Sequence, residues 1–311
     1  MSNIKRIIKS YLPKYIFFKK QKKSIAIIGT RRGGTTLFSS LLSSNTDRII
    51  DQPLESFDRD YPSRRINYKK KKLLPKELCQ YFYLSEEYEK SLNEYLQKFE
   101  LGKNSFLDMN FGFFKNRVIY KFTFGGYILE NLINLNIQPL ILFRHPFTQA
   151  SSCVRNNWSN YYSVYLDSIR FKKRYLNEFK LKELKKIDLN GSKIEKAIVD
   201  WYCSNAELLR IYKNYPTIFY EKIITDSENQ ILYLEKTFDI SINRDKLNRP
   251  SGSSFLSERK FVNNIHDHNY KNSHLINLFN DVKKDDLKKI QYIFDLLEIT
   301  IYDMYSPFPK I

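Results

Sequence analysis

The segment Ser24-Ile25-Ala26-Ile27-Ile28-Gly29-Thr30-Arg31-Arg32-Gly33-Gly34-Thr35-Thr36-Leu37-Phe38 decides how this chain folds. Its unbroken apolar run, bounded by turn residues, predicts a short strand buried on both faces, as in a parallel sheet. A glycine-rich turn follows, and then a helix with apolar residues at Leu37, Leu41 and Leu42. Gly29, Gly33 and Gly34 let the backbone turn tightly and approach a ligand. The unpaired N–H groups at the helix start would face that ligand, and the helix dipole favours an anion there. Arg31 and Arg32 add fixed positive charge, and Thr35 and Thr36 add hydroxyls. The segment reads as a phosphate cradle.

Its chemistry departs from a nucleotide-triphosphatase loop, G-x-x-x-x-G-K-[ST], in which the lysine reaches the terminal phosphates and the hydroxyl binds magnesium. Gly29 and Gly34 keep that spacing, but Thr35 stands in place of the lysine and the basic residue is Arg32, before the second glycine. This arrangement resembles the 5′-phosphosulfate loop of the sulfotransferase superfamily, P-[KR]-S-G-T-T. Arg32, Gly34, Thr35 and Thr36 match it, whereas Arg31 replaces the proline and Gly33 the serine.

Outward from the loop, strands and helices alternate. A helix of about ten residues precedes a strand at Arg48–Asp51, which runs into Gln52-Pro53-Leu54-Glu55-Ser56-Phe57. Residues 58–103 are charged and rich in Tyr and Lys, with a helix over Ser85–Phe99. The run Arg117-Val118-Ile119-Tyr120-Lys121-Phe122-Thr123 reads as another core strand ending in lysine, followed by a helix from Gly126 to Leu135. The run Gln138-Pro139-Leu140-Ile141-Leu142-Phe143-Arg144-His145-Pro146 predicts a buried strand and then a helix. Helices follow to about residue 213, then a strand over Thr217–Glu221, a helix from near Asp226, and a closing amphipathic helix over Asp285–Tyr305. The alternation predicts a three-layer α/β/α fold with a central parallel sheet. The expected organisation is a basic arm over 1–23 and a single domain over 24–311, with helical insertions at about 58–103 and 160–213.

The strand ending at Arg144 separates two families. A magnesium-dependent phosphotransferase calls for an aspartate at such a strand end. Here an arginine stands there, with Ser152 eight residues on. R-x-P followed by that serine resembles the 3′-phosphate motif of sulfotransferases, in which the guanidinium fork matches phosphate oxygens. Phe219-Tyr220-Glu221-Lys222-Ile223 resembles their Y-E-D-L segment, with the tyrosine near the adenine. Lys121 resembles the lysine of their K-T-[HP] segment, which faces the transferring sulfuryl group. Where cytosolic members carry a histidine base, this chain has Thr123. Another branch, including bacterial glycolipid and tyrosyl-protein sulfotransferases, uses a glutamate after the second strand. Gln52-Pro53-Leu54-Glu55-Ser56-Phe57 resembles that segment, which makes Glu55 the expected base and Asp51 its alternative.

The resemblance implies a co-substrate, 3′-phosphoadenosine 5′-phosphosulfate, held by Arg31, Arg32, Gly33, Gly34, Thr35, Thr36, Arg144, Ser152 and Tyr220, with no metal. Glu55, Lys121 and Arg32 would be catalytic. The expected acceptor is a hydroxyl of a carbohydrate or glycolipid. Two rival readings are a P-loop kinase acting on a nucleotide or sugar, and a basic protein that binds nucleic acid or membrane.

Composition sets further bounds. With 311 residues, 42% hydrophobic and 15% aromatic, the chain can bury a large core. Its net charge of +18 suits an anionic ligand. The lysines are scattered rather than gathered in a stripe, as AT-rich coding sequence would also give. Three widely spaced cysteines, Cys79, Cys153 and Cys203, suit a reducing, cytoplasmic setting. The His266/His268 pair has no supporting ligand spacing and reads as a polar loop. The basic segment 1–23 carries an apolar stripe and reads as an arm, or as a peripheral contact with the inner face of an anionic membrane.

Overall fold

The computed structural model describes residues 22–44, 47–53, 86–100, 117–123, 125–248, 276–277, 279–280 and 282–310. Glu55, Cys79, His266, His268 and nearly all of the 1–23 arm lie outside these residues. Five parallel strands form one sheet: β1 Ile25–Ile28, β2 Arg48–Asp51, β3 Val118–Phe122, β4 Gln138–Phe143 and β5 Thr217–Phe219. Their order is β2-β3-β1-β4-β5, so β1 is central.

The all-apolar sequence of β1 has a simple cause. Ala26 and Ile28 join the core on one face of the sheet, while Ile25 and Ile27 join a separate core on the other. The second core is filled by Phe38, Leu41 and Leu42 of helix α1 (Thr35–Leu42) and by Ile231, Leu234 and Phe238 of a later helix, Ser227–Phe238. The larger core takes side chains from α2 (Glu86–Glu100), α3 (Leu129–Asn134) and α4 (Pro146–Arg155). It also takes them from α5 (Tyr162–Asp167), α6 (Ile169–Tyr175), α7 (Glu178–Asn190) and α8 (Lys193–Ile211). Helices on both faces make the fold α/β/α in three layers, as the sequence predicts. Among the described residues, no helix is long and apolar enough to cross a membrane.

Two boundaries differ from expectation. The fifth strand stops at Phe219, and Tyr220–Thr225 is already helix α9, followed by α10 at Ser227–Phe238. Glu221 therefore lies in a helix and is fully buried. The closing helix α11 spans Lys284–Leu296 and does not continue to Tyr305. Glu298 adopts a left-handed φ of 55°, which ends the helix, and Ile299-Thr300-Ile301 beyond it are β-branched.

Candidate active site

Because all five strands are parallel, their carboxyl ends share one edge of the sheet, where α/β folds bind ligands. The loop after β1 lies at the middle of that edge. Gly29 N–H donates to the Phe122 carbonyl at 3.1 Å, and Gly33 N–H closes a tight turn on the Thr30 carbonyl at 2.9 Å. Arg32 has a left-handed φ of 59°, uncommon for a residue with a side chain and typical of functional loops. Gly34 has φ 98°, and a Cβ there would lie 2.5 Å from the Tyr220 ring, so the ring rests on bare backbone. Helix α1 then starts with no side-chain cap and no acidic residue in its first turn. Its N-terminus is therefore fit to receive an anion.

Two strands deliver the residues on one side of the loop. Phe143 is in register with Phe219, so the next residues, Arg144 and Tyr220, leave the sheet side by side. The Arg144 guanidinium stacks over the Tyr220 ring at 4.5 Å. Its Nη1 donates to the Arg32 carbonyl at 2.9 Å, and its Nε donates to Thr148 Oγ1 at 3.3 Å. Arg32 Nε donates to Ser152 Oγ at 2.9 Å. Ser152 is two turns into α4, where the eight-residue spacing from Arg144 places it. Arg32, Arg144, Ser152, Tyr220 and Gly34 thus form one cluster.

On the other side of β1, Lys121 ends the adjacent strand β3. Its register partner on β2 is Asp51, and Lys121 Nζ lies 2.7 Å from Asp51 Oδ1. Lys121 Nζ also donates to Thr36 Oγ1 at 3.4 Å, tying the lysine to the start of α1. Lys121 is buried, whereas Asp51 is 61% exposed, so a charged partner can replace the carboxylate without a large desolvation cost. Gln52 then turns the chain with φ 50°, held where Thr123 Oγ1 donates to Gln52 Oε1 at 2.6 Å. Thr123 thus anchors the turn that follows β2.

Arg31 faces elsewhere. Its guanidinium is 4.4 Å from the Tyr161 ring and 5.7 Å from the Trp158 ring. Arg32 is also near Trp158, at 5.8 Å. Asp200 of α8 accepts from the Tyr161 N–H at 2.6 Å. Burial pushes its carboxyl up to about 6, against the opposing pull of that bond and of Arg31. Sequence reasoning missed Trp158, Tyr161 and Asp200. They come from a loop and from a helix core, and no spacing links them to the glycine loop.

His145, next to Arg144, caps α4. Its Nδ1 accepts from the Phe147 N–H at 3.1 Å, and its Nε2 meets the Asp303 carbonyl at 2.8 Å, which fixes the proton on Nε2. Burial lowers the imidazole from the ordinary 6.5 to about 4, although the bond to Asp303 opposes this. The His145 contribution to stability is complete above pH 6.5 and is lost as pH falls toward 4, costing about 3 kcal/mol. Asp200 acts in the opposite sense, because its raised pKa favours the folded state as pH falls through 6. Asp200→Asn removes that compensation. The melting temperature of the variant, followed from pH 7 to pH 4, is expected to fall more steeply than that of the wild type.

No family model matches this sequence, and no curated protein does. Solved structures similar to it include the sulfotransferase domain of the Synechococcus PCC 7002 olefin synthase, with 14% identity, 92% of this chain and 96% of that chain covered, and a TM-score of 0.41. A sulfotransferase domain of the curacin biosynthetic pathway shares 14% identity over 74% of this chain and 78% of that one, with a TM-score of 0.38. Sulfotransferase STF9 of Mycobacterium avium shares 12% identity over 79% of this chain and 69% of that one, with a TM-score of 0.35. Overlaps this loose assign no role to any residue of this chain.

Proposed function

We propose that the chain transfers a sulfuryl group from 3′-phosphoadenosine 5′-phosphosulfate to a hydroxyl of a carbohydrate or glycolipid. One observation carries this reading. A single glycine loop has an Arg32–Ser152–Arg144 cluster on one side and a buried lysine, Lys121, on the other. That is a cradle for two separated anionic groups on one nucleotide, and the donor set fits them. The guanidinium groups, hydroxyls and open helix N-terminus are all donors, and Gly34 presents bare backbone under an aromatic ring.

Arg144 and Ser152 would hold the 3′-phosphate, with Tyr220 beside the adenosine. Arg32 and the N–H groups of Thr35 and Thr36 would hold the 5′-phosphate. The bound co-substrate supplies the sulfuryl group and the phosphate that leaves. Lys121 and Arg32 set fixed positive charge where negative charge grows on the leaving oxygen, in a site that needs no reorganisation. Glu55 takes the proton of the attacking hydroxyl. Asp51, at the end of β2, is engaged with Lys121. The Glu55 type of base and the aromatic-rich stretch 58–103 favour a sugar-bearing acceptor.

The direct test follows a radiolabelled sulfuryl group from the co-substrate to carbohydrate and glycolipid acceptors in the presence of a metal chelator. Labelled acceptor is expected. A companion variant tests the base: Glu55→Gln should keep nucleotide affinity within about twofold and lower turnover by at least about a hundredfold. Full turnover in that variant would move the role to Asp51.

A further inference from the structure

Arg144 and Tyr220, which face the nucleotide cluster, are each followed by a residue that faces away from it, and those two outward residues meet. After Arg144 comes His145, and after Tyr220 comes Glu221. The His145 N–H donates to Glu221 Oε1 at 2.9 Å. The carbonyl of the same peptide unit, that of Arg144, accepts from Trp201 Nε1 at 3.0 Å. The peptide joining Arg144 to His145 is therefore held at both ends, by Glu221 of α9 and by Trp201 of α8.

The grip continues into the carboxyl-terminal segment. Tyr302 OH donates to the second oxygen of Glu221 at 2.8 Å, and His145 Nε2 donates to the Asp303 carbonyl at 2.8 Å. The Tyr302 ring packs edge-on to His145 at 4.8 Å and to Trp201 at 6.5 Å. This segment is itself closed into a turn. Asp303 Oδ1 accepts from the N–H groups of Tyr305 and Ser306 at 2.7 and 2.9 Å. Asp303 Oδ2 pairs with Lys310 at 2.9 Å, and the Lys310 N–H returns to the Ile301 carbonyl.

Glu221 is fully buried, and burial raises its carboxyl pKa against its bonds to His145 and Tyr302 and its attraction to Arg144. Burying a carboxylate is costly unless its oxygens are satisfied. Both are used here, and both partners lie on the path from the carboxyl-terminal segment to Arg144.

We infer that Glu221, Tyr302 and Trp201 are positioning residues that fix the Arg144 guanidinium for the 3′-phosphate, so the segment 301–310 belongs functionally to the nucleotide site. This inference rests on the proposed nucleotide. Backbone rotation at the Arg144–His145 peptide would swing the guanidinium off Tyr220 and the Arg32 carbonyl, and small errors in placement weaken charge-assisted bonds steeply.

The test measures dissociation constants for 3′,5′-adenosine bisphosphate and for AMP, whose ratio isolates the 3′-phosphate. In Tyr302→Phe, which loses one oxygen and little volume, the wild-type ratio should drop on the order of fivefold while AMP affinity holds. Trp201→Phe should do the same. In an Arg144→Ala background, Tyr302→Phe should leave the ratio unchanged, because the two act through one contact. A general loss of fold stability would weaken both ligands equally and leave the ratio intact. Equal binding of the two nucleotides by the wild type would overturn the nucleotide reading together with this inference. A wild-type preference kept in full by both Tyr302→Phe and Trp201→Phe would overturn this inference alone.

Discussion

Lys121→Met is expected to lower turnover by about two to three orders of magnitude, the usual cost of removing one preorganised donor from a developing negative charge. Lys121 is buried at the end of β3, bonded to Thr36 on the loop helix and paired with Asp51. Methionine keeps most of the stem volume and removes the ammonium, with its charge and its N–H donors. The ion pair that is lost has a mostly exposed partner, so folding stability should change by less than about 1 kcal/mol. The loss should therefore appear in kcat far more than in the melting temperature. Lys121→Arg should not restore the rate, because a planar fork cannot take the place of a compact ammonium between Asp51 and Thr36. Turnover within about threefold of the wild type in Lys121→Met would remove this residue from the reaction.

Arg144→Ala should weaken 3′,5′-adenosine bisphosphate by about two orders of magnitude, since hydrogen bonds to charged groups are worth about 1.5–3 kcal/mol each and a fork can make two. AMP, which lacks the 3′-phosphate, should bind within about threefold of the wild type. The variant also frees the Arg32 carbonyl and uncovers Tyr220, so some loosening of the loop should accompany the loss. Titration calorimetry with the two nucleotides reads the effect. Equal losses for both would mean that Arg144 supports the loop without contacting a 3′-phosphate.

Much of this site is written in short stretches of sequence. The Ile25–Ile28 run predicted a strand buried on both faces, and its alternate residues do enter two separate cores. Ser152 follows Arg144 by eight residues, about two helical turns, so local geometry alone brings that serine toward the loop. Other features depended on partners far away in the chain. Glu221 looked like a strand end because Phe219 and Tyr220 precede it. Its inward placement depends on its bonds to His145 and Tyr302, 76 and 81 residues distant. The stop of α11 hangs on one left-handed residue, Glu298, whose type gives no such signal. The contacts of Arg31 with Trp158 and Tyr161 come from the connection between α4 and α5, which leaves no periodic pattern to read. Strand order, with β1 between β3 and β4, is equally a property of the folded sheet. That order is what places Lys121 and Arg144 on opposite sides of one cradle.

The central claim is that this cradle takes a nucleotide with separate 3′ and 5′ anionic groups. The most direct measurement is thermal stability with 3′,5′-adenosine bisphosphate, ADP, ATP or AMP, each with and without magnesium. A ligand at 100 times its dissociation constant adds about 2.7 kcal/mol, enough for a clear rise in melting temperature. The largest rise is expected with the bisphosphate, unchanged by magnesium. A rise only with ATP and magnesium would contradict it and mark the chain as a kinase.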